Sequence, residues 1–259
     1  MPIYLDMSEE DYRADAGISQ SLLKLLKTDG GPARLKYGDP QGHTRPQKFG
    51  TLFHYAMLQP DKFERRYAPT DLERTGTKAW IEAEQMATGR ELVKRLDYEK
   101  AMRMRDALLR WSPVARELLT SGKVAVEQPF FWTDPETVAR CKGLADGVNH
   151  DYQVLFDLKS AEDASLQGFR WAARKWGYAL QAAWYLDGWP LADGWDPQEF
   201  VIFAVEKDPP YLSASYAFDP ADIAAARAEL ATLLNRYVTC QASGIWPGYE
   251  PSLQTLSLT

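Results

Sequence analysis

Gly143-Leu-Ala-Asp-Gly-Val-Asn-His-Asp-Tyr-Gln-Val-Leu-Phe-Asp-Leu-Lys-Ser160 is the stretch on which the fold turns. Two short apolar runs, 143–148 and 155–160, each carry an acid, and the polar Asn149-His-Asp-Tyr152 between them reads as a tight turn. Taken as strands, the runs make an antiparallel hairpin. Counting outward from the turn sets Asp146 opposite Asp157, and opposed residues hold their Cβ atoms ~5 Å apart. Strand alternation places Asp157 and Lys159 on one face, with Val154, Phe156 and Leu158 on the other.

An acid pair beside a lysine is ordinarily a solvated hairpin face. Here Phe156 and Leu158 make one face apolar, and the aromatic-rich segment that follows is expected to cover the other. Covered acids at this spacing repel, so one holds a proton unless a cation intervenes. Two acids and an amine at one spot fit metal-dependent phosphodiester hydrolysis.

Residues 164–188 read as one long helix, with Arg174, Tyr178, Gln181 and Tyr185 in a stripe at i, i+4, i+7 and i+11. Ala172, Trp176, Ala179, Leu180 and Ala183 are expected to pack on the sheet. Arg170, Arg174 and Lys175 form a basic cluster, and Trp171 and Tyr178 are candidates to stack on an unpaired base, a contact worth ~1–3 kcal/mol. Upstream, Val124-Ala-Val-Glu-Gln-Pro-Phe-Phe-Trp132 reads as a strand that turns at Asp134-Pro135 into Thr137-Val-Ala-Arg-Cys141. Counting about that turn places Glu127 opposite Leu144 and diagonal to Asp146, ~7–8 Å away and within reach of a long side chain. Glu127 is therefore a candidate for a second metal, and Pro129 marks an edge strand or a bulge. His54 lies on an expected helix at 49–58, where a lone histidine is ordinarily a hydrogen-bonded core residue.

An acid, then Asp-x-Lys about ten residues on, then a helix bearing Gln181-Ala-Ala-Trp-Tyr185 resembles the PD-(D/E)XK nuclease superfamily. The likeness is greatest to the RecE-type exonuclease VIII nuclease domain, and extends more distantly to the RecB nuclease domain and lambda exonuclease. Ile18-Ser-Gln-Ser-Leu-Leu-Lys-Leu-Leu26 with Gly31-Pro-Ala-Arg34 is similar to that group's opening helix. Gly50-Thr-Leu-Phe-His54 with Leu58-x-Pro60 resembles its histidine motif, and Val126-Glu-Gln-Pro-Phe130 and Ala204-Val-Glu-Lys-Asp-Pro-Pro210 also fit. The likeness covers roughly residues 15–245. One departure is that the nominal Pro-Asp reads Ala145-Asp146, which keeps the acid that carries the chemistry.

The resemblance implies an α/β fold: a restriction-endonuclease-like core, with a mixed central sheet flanked by helices and a helical N-terminal region. Residues 1–120 would carry the histidine motif and 121–259 the nuclease core, in one compact domain. It implies a Mg²⁺-dependent, ATP-independent exonuclease acting 5′→3′ on double-stranded DNA ends, releasing 5′ mononucleotides and leaving 3′ single strands for recombination. A ring-shaped homotrimer or tetramer and a single-strand annealing protein as partner are further expectations. Rival readings are an endonuclease or junction-cleaving enzyme, and an inactive nucleic-acid-binding module.

Under this reading Asp146, Asp157 and the Leu158 carbonyl ligate Mg²⁺ or Mn²⁺, all-oxygen ligation that suits either ion. Two ions ~3.5–4 Å apart would activate the water and take up charge on the leaving oxygen. His54 would contact metal directly or through water. Lys159 would hold the water, Gln181 would orient the phosphate or water from a substrate-facing edge, Tyr185 would support it, and Arg174 would contact the backbone.

Composition sets bounds. The 259 residues suffice for one large domain or a core with a helical cap. Two cysteines, Cys141 and Cys240, cannot build the four-cysteine iron–sulfur cluster of some relatives, nor a zinc site alone, and fit a reducing cytoplasm. The acidic start lacks a secretion signal, and no run approaches the ~20 apolar residues of a membrane span. The net charge of −6 is awkward for DNA binding, which leans on Lys and Arg. Local clusters soften it: Arg170/Arg174/Lys175, and Arg90, Lys94, Arg95, Lys100, Arg103 and Arg105. There is no G-x-x-x-x-G-K-[ST], G-x-S-x-G or H-E-x-x-H, which argues against ATP-driven, serine-hydrolase and zincin chemistry.

The remaining pattern reads as a helix over 8–27 with Ser19 as N-cap, a loop over 28–47, and one or two long helices over 79–119. Strands follow at 154–159, 199–206 and 212–218, and an Ala-rich helix at 220–242.

Overall fold

The run Phe200-Val-Ile-Phe-Ala-Val205 is apolar on both faces, as expected of a strand with neighbours on both sides and helices above and below. The computed structural model describes residues 7–39 and 45–257. The chain begins with α1 (Glu9–Ala14), α2 (Gln20–Leu25), α3 (Gly31–Tyr37), α4 (Arg45–Leu58) and α5 (Pro60–Arg66). β1 (Tyr67–Thr70), α6 (Lys78–Met86), β2 (Glu91–Lys94), α7 (Arg95–Trp111) and α8 (Pro113–Thr120) follow. The strands β3 (Val124–Thr133), β4 (Arg140–Asn149) and β5 (Val154–Ala161) come next. Then come α9 (Leu166–Trp176), α10 (Tyr178–Asp193), β6 (Glu199–Glu206), β7 (Ser213–Tyr216) and α11 (Pro220–Ser243).

β3-β4-β5-β6-β7 form one five-stranded mixed sheet, parallel only between β5 and β6. Alternation on the two central strands builds two cores. Leu155, Phe200, Ile202 and Ala204 face one way, into a cluster with Leu180, Trp184 and Trp189 of α10 and Leu230 and Leu234 of α11. Val154, Phe156, Leu158, Val201, Phe203 and Val205 face the other, against Phe53 of α4, Met104 and Leu108 of α7 and Leu118 of α8. The result is an α/β sandwich with a mixed sheet between helical layers. The helices at 45–120 are thus one of the sheet's two covers.

Several expectations are corrected. The 8–27 helix is two helices: residues 15–19 leave the helical path so that Ile18 can bridge Cys141 on β4, while Ser19 still caps α2, accepting from Leu22 N–H. The 28–47 loop contains α3, because Pro32 suits a first helical turn, where its missing N–H costs nothing; residues 40–44 lie outside the described set. Residues 79–119 hold three helices and a short strand. Thr77 caps α6, Ser112 caps α8, and Pro113 forces the break after α7. β1 and β2 pair in parallel as a small second sheet that periodicity did not reveal. The 164–188 helix is broken at Gly177, which sits in the left-handed region at φ 62° and ends α9. Among the described residues no helix is long and apolar enough to cross a membrane.

Candidate active site

The turn at 150–153 sets the β4–β5 register at Asn149↔Val154, Val148↔Leu155 and Gly147↔Phe156, where the ladder stops. Asp146 and Asp157 are the next residue on each strand, so the expected opposition follows the same count. The strands part there. Leu158 N–H donates instead to Asp146 Oδ2 at 2.8 Å, the acid standing in for a lost ladder partner. Gly147 allows the close packing beside it: a Cβ there would lie 1.9 Å from the Phe156 ring. Asp146 and Asp157 are 8% and 1% exposed.

From the α4 side, His54 Nε2 lies 2.7 Å from the Leu158 carbonyl and Nδ1 lies 3.4 Å from Asp146 Oδ2. The carbonyl expected to face metal therefore faces the imidazole. Glu127 departs from its expected register. The β3–β4 turn covers 134–139, with Val138 at φ 59°, so Pro129, not Glu127, pairs with Leu144. Glu127 sits across from Asp146, between the pairs Val126↔Gly147 and Gln128↔Ala145, at φ 51° and out of the ladder. β3 is an edge strand, which admits Pro129. One donor atom each from His54, Glu127 and Asp146 lies within 4.8 Å of the others.

That donor set fits a divalent cation: two carboxylates and one imidazole suit Mn²⁺ and admit Mg²⁺. The electrostatics point the same way. Burial first, and then the Asp157 carboxylate, push Asp146 up to about 6, against the opposing pull of His54, Lys159 and the Leu158 N–H. A site that strains to keep its acid charged favours an added cation.

Asp157 is held separately. Its Oδ1 accepts from Gln181 Nε2 at 2.7 Å, and its Oδ2 pairs with the Lys159 ammonium. Burial pushes Lys159 down, but Asp157 and Asp146 outweigh it and the net direction is up, so the ammonium stays charged. Its Nζ lies 5.2 Å from the centre of the Tyr178 ring, a cation–π contact.

The substrate-facing stripe is not formed. The break at Gly177 takes Arg174 off the line of α10, and Gln181 and Tyr185 are 7% and 6% exposed. Tyr185 packs on Phe130 and Phe200 and donates its hydroxyl to the Leu144 carbonyl at 2.6 Å; burial holds its pKa well above the ordinary value. Gln181 and Tyr185 thus grip the two acid-bearing strands from below. Arg170, Arg174 and Lys175 are exposed together on α9, with Lys175 Nζ 4.6 Å from the Trp171 ring centre. Trp176, expected on the sheet, is 55% exposed beside that same amine.

The other basic cluster is largely matched by acids. Lys94 pairs with Glu73, Arg95 with Asp71, Lys100 with Asp208, Arg103 with Glu99 and Arg105 with Asp106. Lys24 was missed. It belongs to α2, yet its Nζ donates to the Trp176 carbonyl at 2.8 Å, and burial, then Lys159, lower its pKa to about 8. In sequence it only interrupts a leucine run, and a contact across 152 positions leaves no local signal.

His54, Glu127 and Asp146 open onto a cleft of about 820 Å³ between α4, α5 and the β3 edge. A family model described as a PDDEXK-like domain of unknown function (DUF3799) matches residues 31–256. Among solved structures, a "putative exonuclease" of Eubacterium rectale aligns at 14% identity with a TM-score of 0.68, over 99% of this chain and 97% of that one; at such identity the likeness speaks for the fold. The alkaline exonuclease LHK-Exo of Laribacter hongkongensis aligns at 15% identity over 92% of this chain and 99% of that one, with a TM-score of 0.35. No curated protein sequence matches the chain.

Proposed function

The chain belongs to the PDDEXK-like domain family DUF3799, and on that premise we propose that it is a Mg²⁺- or Mn²⁺-dependent, ATP-independent deoxyribonuclease. One observation carries the reading: two buried acids at the parting of β4 and β5, with an ammonium on one and a His54–Glu127 cluster around the other. A structural salt bridge would account for Asp157 and Lys159 alone. It would not account for a third carboxylate brought beside Asp146 in a strained backbone, with an imidazole against it.

His54, Glu127 and Asp146 would hold the metal, with Asp157 beside them. When bound, a divalent cation lowers the pKa of water and offsets charge on a phosphodiester. The protein's part is positioning. Leu158 N–H fixes Asp146, Gln181 fixes Asp157, and His54 is oriented by the Leu158 carbonyl. Lys159, kept as an ammonium, would orient the attacking water and balance charge on the non-bridging oxygens. Trp171, Arg170, Arg174 and Lys175 would meet nucleic acid along α9, with Tyr178 at the start of α10 beside them.

The finer parts rest on the resemblance to RecE-type nucleases. They are 5′→3′ exonuclease action on duplex ends, 5′ mononucleotide products, a ring-shaped trimer or tetramer, and a single-strand annealing partner. The test is digestion of linear duplex labelled at either end, with Mg²⁺, beside a closed circular duplex. Early 5′ label release with the circle intact is the expected result. Loss of the circle points to an endonuclease, and no degradation of either substrate removes the nuclease reading.

A further inference from the structure

We infer that Lys62 and Arg65 of α5 form a second nucleic-acid subsite, which holds the backbone phosphates next to the scissile one on the acid cluster's side. The inference rests on the nuclease reading. Both side chains line the same cleft as His54, Glu127 and Asp146, and they are the only Lys or Arg among its described lining residues. Asp61, Glu127 and Asp146 also line that cleft. With Glu127 and Asp146 engaged by the metal, a polyanion entering the cleft would still meet Asp61, and positive charge on the cleft's α5 side would favour its entry. None of the α9 cations lines it.

These two cations are set apart from the others nearby. Lys94, Arg95, Lys100, Arg103 and Arg105 each meet a carboxylate, and Arg66 is held by Glu91 and by the Tyr55 hydroxyl and ring. Among the described residues, no carboxylate lies within ion-pair distance of Lys62 or Arg65. Both are exposed, while Phe63 between them is buried against the Tyr67 and Tyr98 rings and pins the helix. At i and i+3 the two side chains leave α5 as neighbours, Cβ atoms ~5–6 Å apart, a spacing from which two long cations reach adjacent phosphates. Arrangement on a pinned helix, exposure without partners and a shared acidic cleft together point to a phosphate-binding edge.

The test measures binding of the full chain to a fluorescein-labelled linear duplex by anisotropy, with Ca²⁺ in place of Mg²⁺, across a salt series. Each phosphate contact contributes about 0.9 to the slope of log affinity against log salt, so Lys62→Ala/Arg65→Ala should lower the slope by about 2 and weaken binding for every duplex sequence tried. The milder Lys62→Gln/Arg65→Gln should do the same. Both variants should melt within about 1 °C of wild type, since exposed side chains without partners carry little stability. A wild type that degrades duplex, beside variants with unchanged slope and affinity, overturns this subsite and leaves the nuclease reading standing. A wild type that neither binds nor degrades duplex overturns both.

Discussion

Gln181 Nε2 donates to Asp157 Oδ1 at 2.7 Å, so that a helix behind the sheet aims an acid at its front edge. Tyr185, one turn on, grips the Leu144 carbonyl two residues before the other acid. The pair would act on catalysis through the strands they hold. Gln181→Leu and Tyr185→Phe should therefore lower kcat with KM nearly constant. Tyr185→Phe leaves a buried carbonyl without its partner and should cost about 1–2 kcal/mol in urea unfolding. A large rise in KM with kcat intact would instead place these side chains on the substrate.

Lys159 tests the chemistry most directly. Lys159→Arg keeps the charge but presents a wider, planar group that cannot fit the ammonium's place and would occupy the water's. Activity on linear duplex should fall at least about a hundredfold, roughly 2.7 kcal/mol in the barrier. Near-normal turnover would take Lys159 out of the mechanism.

Metal binding has a readout besides turnover. Mn²⁺ or Ca²⁺ at 100 times its dissociation constant should stabilise the protein by ~2.7 kcal/mol, seen as a rise in Tm. Asp146→Asn, Asp157→Asn and Glu127→Gln should each reduce that rise. An unmoved wild-type Tm would count against a metal site at this place.

Asp146 also makes a pH prediction for the metal-free protein. Its folded pKa of about 6 stands above the ordinary aspartate value of 3.8, so the folded state binds the proton more tightly than the unfolded one. The associated stability is full below about 4 and is lost as pH rises through about 6. A tenfold difference in proton affinity between the folded and unfolded states is worth about 1.4 kcal/mol, so the loss is on the order of 2–3 kcal/mol. Asp146→Asn should flatten the Tm profile between pH 4 and pH 7, by difference from wild type, and metal should reverse the loss. A variant profile parallel to wild type would contradict the assignment.

Gly147 should tolerate nothing larger. Its ideal Cβ lies 1.9 Å from the Phe156 ring, so Gly147→Ala forces that ring or the strand to move and should cost about 1–3 kcal/mol. Combining it with Phe156→Leu should recover part of the Tm. No recovery would locate the strain elsewhere.

The hairpin was legible because a short turn fixes register by counting: Asp146, Asp157 and Lys159 fall where alternation puts them. Counting puts Glu127 two pairs away from its true place for the same reason in reverse, since the β3–β4 turn is longer than Asp134–Thr137 and Val138 takes a positive φ. The break at Gly177 was hidden by a periodicity that runs on through it. Lys24, Lys62 and Arg65 gave no signal because they reach the site from α2 and α5, elements far from the hairpin in sequence.

Local pattern, by itself, determined the strand–turn–strand carrying the acids, the apolar centre of the sheet and a few helix starts, among them the Ser19 cap of α2 and the start of α11, since these depend on contacts within a few residues. Tertiary structure alone decided that His54 and Glu127 converge on Asp146, and that Gln181 and Tyr185 are buried supports. It also decided which cations are left without acids. Those outcomes depend on how distant elements pack and on the low-dielectric space they enclose, and neither is encoded at any one position along the chain.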